Sequence, residues 1–159
     1  MRQIVTFSTA AGHQDATTVA AIWALSREQY RRDGLSGLLV AGGHRYFEVI
    51  EGGVDEVELA VDRIRFEQRH VGMSVLITRR IAERSFPDWS ATYFTPPPAR
   101  ACATLGDMVE RTRALVSDPA LLDQLDCLER RFAVAPAAPL ASPWTTPASY
   151  GALPLDRGH

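Results

Sequence analysis

The chain has 159 residues, of which 46% are apolar and 23% charged, with a formal net charge of −2 at pH 7. Those values describe one soluble globular domain with a real core. They exclude the broad basic surface that a nucleic acid or an anionic membrane would need, so neither partner is expected.

The two cysteines, Cys102 and Cys127, form no CxxC and stand at no metal-ligand spacing to a histidine. No metal is expected, and reduced thiols point to a cytoplasmic protein. The apolar run behind Arg2 and Gln3 is too short for a signal peptide, and no stretch is long enough to span a membrane.

Ile4-Val5-Thr6-Phe7-Ser8 reads as the first strand, apolar at both parities and therefore covered on both faces. A polar loop over 9–16 leads to a helix over about 17–32, with Val19, Ile22, Trp23, Ser26 and Tyr30 on one side and Gly34 as its stop. Two apolar runs, 35–41 and 45–51, follow around Gly42-Gly43, where a type I′ hairpin turn needs positive φ at both central residues. Val54, Val57, Ala60, Val61 and Ile64 mark an amphipathic helix over about 54–67. Residues 71–77, running on toward Ile81, supply another strand, and 89–94 a shorter one that Pro96-Pro97-Pro98 stops.

Thr104 with Asp107 forms a capping pattern ahead of Leu105, Met108, Val109, Thr112, Leu115 and Val116. Asp118-Pro119 opens a further helix carrying Leu121, Leu122, Leu125, Leu128 and Phe132. Two short helices need a partner surface, so they are expected on the sheet face that the first two leave bare. From 134 to 159 the composition turns to Pro, Ala, Ser and Thr, as in a linker, with Trp144 and Tyr150 as candidate docking residues. The expected division is therefore an α+β domain over 1–96, two packed helices over 97–133 and a Pro/Ala-rich tail over 134–159.

Gly34-Leu35-Ser36-Gly37-Leu38-Leu39, Phe47-Glu48-Val49-Ile50-Glu51-Gly52, Arg63-Ile64, Arg69-His70 and Arg84-Ser85-Phe86-Pro87-Asp88-Trp89-Ser90 occur in this order. Together they resemble the BLUF domains, blue-light sensors that use flavin, over roughly residues 2–94. The resemblance implies a ferredoxin-like βαββαβ sandwich with an added strand, flavin held between the two sheet-covering helices, and two C-terminal helices on the other face. It also implies cofactor contacts from Ile22, Arg63, Arg69 and His70, if FAD is retained at all.

Four positions depart from the family's pocket. Thr6 stands where the family has its light-oxidised tyrosine, and an aliphatic hydroxyl cannot be oxidised that way. Glu48 replaces a glutamine whose amide both donates and accepts, whereas an ionised carboxylate only accepts and only a protonated Glu48 could donate. Tyr30 replaces an asparagine that pairs with the ring edge, and Ala91 replaces a methionine. A buried Glu48 would need a partner, so the Tyr30 ring is expected to fill the flavin space with its hydroxyl near that acid.

The expected function is a non-enzymatic, BLUF-like regulatory module without flavin photochemistry. It would act through protein contacts, as a homo-oligomer or by binding a partner through its C-terminal helices or tail. The alternative is an FAD-binding photoreceptor with an altered photocycle. An acylphosphatase-like hydrolase is the third class, and the loop over 9–16 speaks against it: Gly12, His13 and Asp15 come with no Arg or Lys to cradle phosphate.

Overall fold

The computed structural model describes residues 1–12, 14–95 and 103–132. His13, Cys102 and the whole Pro/Ala-rich segment, with Trp144 and Tyr150, lie outside the described residues.

Five strands form one sheet: β1 (Arg2–Ala10), β2 (Ser36–Gly42), β3 (Arg45–Gly52), β4 (His70–Arg80) and β5 (Trp89–Tyr93), in spatial order β4-β1-β3-β2-β5. β1 is antiparallel to β3 and β4, β2 is antiparallel to β3, and β5 runs parallel to β2. The helices are α1 (Ala16–Arg32), α2 (Val54–Phe66), α3 (Leu105–Arg113) and α4 (Pro119–Phe132). This is the α+β, ferredoxin-like βαββαβ sandwich expected, with β5 added beside β2.

Strand alternation sorts the core into two layers. Ile4, Leu39, Tyr46 and Ile50 pack with Val19 and Tyr30 of α1 and with Val57, Ala60, Val61 and Ile64 of α2. Val5, Leu38, Val40, Phe47 and Val49 pack instead with Met108 and Val109 of α3 and Leu121, Leu125 and Leu128 of α4. Both faces are covered, which is why the central strands are apolar at both parities.

Local chemistry fixes the ends of the elements. Asp15 caps α1 by accepting from the Thr18 amide at 2.7 Å. α1 ends in a Schellman motif around Gly34, at φ 65°. There the Leu35 amide donates to the Tyr30 carbonyl at 2.8 Å, and the Gly34 amide to that of Arg31 at 3.3 Å. Thr104 and Asp107 form the reciprocal capping box at the start of α3.

The hairpin turn sits one residue later than the paired glycines suggest. Gly42 pairs with Arg45, so the central residues are Gly43 and His44, at φ 51° and 59°. Both have the positive φ of a type I′ turn, one of them on a non-glycine residue. β1 is also longer than its apolar run, because Arg2, Gln3, Thr9 and Ala10 all pair with β4.

Candidate functional site

Between the sheet and the α1–α2 layer lies a cleft of about 80 Å³. Six of the eight positions singled out from the sequence line it: Ile22 and Tyr30 from α1, Arg63 from α2, Glu48 from β3, and Arg69 with His70 at the start of β4. Thr6 is buried directly opposite Glu48 in the β1–β3 ladder. Ala91 pairs with Leu39 and lines a separate groove beside Ala16, Val19, Ala20 and Trp23. The sequence reading put these eight residues around one pocket, whereas Ala91 faces a different one.

Glu48 is the chemical centre of the cleft. It is 6% exposed, and its Oε2 has no hydrogen-bond partner among the described residues. Burial pushes its carboxyl up to about 8, the nearby Glu67 carboxylate adds to the rise and the Arg69 guanidinium opposes it. The Tyr30 hydroxyl is held well above its ordinary value by burial first and by the Glu48 charge second. Tyr30 is buried as expected, but its ring lies on Trp89, with centroids 4.1 Å apart and 31° between the planes. No hydrogen bond joins Tyr30 to Glu48, because the aromatic contact, rather than the acid, positions the ring.

The basic residues are already engaged. Arg63 donates to Asp33 at 2.5 Å, and Arg69 pairs with Glu67. His70 opens β4, and its Nδ1 lies 2.8 Å from the Ser8 hydroxyl. Burial lowers the His70 pKa, Glu67 acting against that shift and Arg69 with it, so the ring is neutral at pH 7. Tyr46 stacks on His70 with centroids 4.7 Å apart.

Ser8 and Tyr46 were not singled out from the sequence. They share strand parity with Thr6 and Glu48, so alternation along β1 and β3 could have found them. Gln14 was missed as well: it is 6% exposed, and its side chain lies beside Tyr46, opposing the rise that burial gives the Tyr46 hydroxyl. A loop residue carries no periodic signal of burial.

Among the described residues, no group of three or more His, Cys, Asp or Glu is placed to hold a metal. Nor is any described helix long and apolar enough to cross a membrane.

Residues 1–92 match the family described as BLUF, sensors of blue-light using FAD. Among solved structures, the dark state of the BLUF protein BlrB is 24% identical, with a TM-score of 0.58, over 78% of this chain and 90% of that one. The ground state of BlsA is 22% identical, with a TM-score of 0.56, over 84% and 88%. A bacterial light-regulated adenylyl cyclase is 21% identical, with a TM-score of 0.54, over 83% of this chain but only 36% of the cyclase. At these identities the likeness is one of fold. No curated protein matches the sequence.

Proposed function

The chain belongs to the BLUF family of blue-light sensory domains, and we propose that this member has lost flavin photochemistry and signals through protein contacts. One observation carries the reading: Tyr30 is buried against Trp89 inside the cleft where the family holds its cofactor. The space beside it is about 80 Å³. Sites for drug-sized ligands span roughly 300–1,000 Å³.

The chemistry of the lining agrees. Thr6 offers no oxidisable ring. Arg63 and Arg69, the residues that would reach the phosphate end of the cofactor, are paired with Asp33 and Glu67. The residues present do not fit FAD. The proposed module is non-enzymatic: among the described residues the serine beside a histidine, Ser8 next to His70, is 3% exposed.

Protein contacts, first of all with further copies of itself, suit the apolar residues left outside. Leu25 of α1 is 70% exposed, and Leu59 and Phe66 of α2 are 63% and 81% exposed. The free, exposed Cys127 fits a reducing, cytoplasmic setting. The alternative, a flavin receptor with altered photochemistry, draws on Ile22, Arg63, Arg69 and His70 still gathering on one cleft.

Absorption spectra of the purified chain separate the two, taken before and after incubation with excess FAD and desalting. A colourless protein is expected. Flavin bands that survive desalting would overturn the loss of the cofactor, and a red shift on illumination would establish the alternative.

A further inference from the structure

Glu48 Oε2 is a buried acceptor without a partner among the described residues, and Glu48 lines a cleft that remains open beside it. An acceptor in that position costs free energy until a donor reaches it. What kind of donor fits is set by the other groups facing the space. These are Tyr30 from α1, Arg63 from α2, Glu67 just after it, Tyr46 from β3, and Arg69 and His70 at the start of β4.

Arg63 and Arg69 each have a carboxylate already, and His70 is neutral, so the lining holds no unengaged positive charge to attract an anion. Glu48 is the acid left without an ion pair. Tyr30 and Tyr46 line the same space, each with one ring face already stacked, on Trp89 and on His70. A volume of about 80 Å³ suits a head group of a few heavy atoms and not a fused ring.

The geometry points to a recognition site for a small organic cation, an alkylammonium or guanidinium head, paired with the Glu48 carboxylate beside Tyr30 and Tyr46. The inference rests on flavin having left this cleft. It has a proton balance. At pH 7 the Glu48 carboxyl, pushed up to about 8, is mostly protonated. Pairing with a cation requires the carboxylate, so binding releases the Glu48 proton to the buffer while the ligand keeps its charge.

Calorimetric titration of the full chain at pH 7 tests this, with guanidinium and propylammonium chlorides at low, non-denaturing concentration in two buffers of different ionisation heat. Urea and 1-propanol are the neutral twins. Both cations are expected to bind saturably, one per chain, with close to one proton released. The neutral twins should bind at least about tenfold more weakly, and Glu48→Gln should weaken the cations by a similar factor.

Absence of cation binding, equal binding of the neutral twins, or indifference to Glu48→Gln would each overturn the site. The twin comparison holds even if the variant folds poorly. A parallel FAD titration keeps the two levels apart: retained FAD sinks the loss of the cofactor and this site with it, while a chain that takes neither FAD nor cation sinks only this site.

Discussion

Tyr30 lies on Trp89 with ring centroids 4.1 Å apart and 31° between the planes, which joins α1 to the added strand β5. A tilted pair of this kind contributes about 0.5–1.5 kcal/mol beyond its buried area. The same contact holds the Tyr30 ring inside the cleft. A residue that departs from the family's pattern has thus become part of the core, and the change is structural as well as chemical.

Reversing the departures should therefore bring the cofactor back. The triple variant Thr6→Tyr, Tyr30→Asn, Glu48→Gln restores the ring-edge amide, the switching amide and the oxidisable tyrosine, and it moves the aromatic ring from position 30 to position 6. It is expected to keep FAD through desalting and to form a red-shifted state in blue light, neither of which is expected of the parent. A triple variant that stays colourless would mean that these positions do not set flavin retention.

Glu48 predicts a pH dependence with a definite sign. Its carboxyl is raised from 4.5 to about 8 in the folded chain, chiefly by burial. Between those values the folded chain holds a proton that the unfolded chain has released, so raising the pH favours unfolding. The contribution is complete below the unfolded value and is lost as pH rises through the folded one, at up to about 1.4 kcal/mol per pH unit. His70 acts in the opposite sense in acid, since its pKa is lowered on folding. Urea midpoints of the parent and Glu48→Gln from pH 5 to 9 should diverge, the parent falling relative to the variant. Parallel curves would mean that Glu48 ionises freely.

The fold was legible because it rests on periodicity. The stripe of Val57, Ala60, Val61 and Ile64 and the two-faced apolar strands say which surfaces must be covered, and the layers follow. The site was legible as a set of positions, since six of them share one cleft. Its pairings were not. That Arg63 reaches Asp33 and that Tyr30 turns to Trp89 depend on where α1 ends relative to α2 and β5, and no spacing along the chain encodes this. The hairpin turn slipped by one residue for a related reason. Gly42 is held in the ladder opposite Arg45, so His44 takes the positive φ.

Gly34 offers a test of backbone conformation alone. It stands at φ 65° and a Cβ there would meet nothing within 4 Å, so Gly34→Ala changes no packing. The left-handed conformation still costs an alanine about 1–2 kcal/mol, and the denaturation midpoint should fall accordingly. Gly34→Asn should recover part of the loss, because asparagine tolerates that conformation better. Equal midpoints for glycine and alanine would show that the end of α1 rearranges.

Glu51 anchors a polar relay that no periodicity or motif along the chain signals. It is fully buried, and its carboxylate accepts from the Ser85 amide at 3.1 Å, the Phe86 amide at 3.0 Å and the Gln3 side chain. Gln3 in turn accepts from Arg79 at 2.6 Å, and both Arg79 and Ser85 donate to Asp118, at 2.5 and 2.7 Å. Asp118 caps α4 through the Ala120 amide at 2.9 Å. The centre of the sheet is thereby wired to the start of a helix on its other face. Glu51→Ala strands buried donors and should cost about 3 kcal/mol or more, while Asp118→Ala should cost about 1 kcal/mol as a lost cap. Because Ser85 bonds both acids and Gln3 and Arg79 link them in series, the double variant should be less destabilised than the sum by at least about 0.5 kcal/mol in a urea double-mutant cycle. Strict additivity would mean that the sheet and α4 are held independently, and that changes at the cleft have no polar route to the C-terminal helices through these residues.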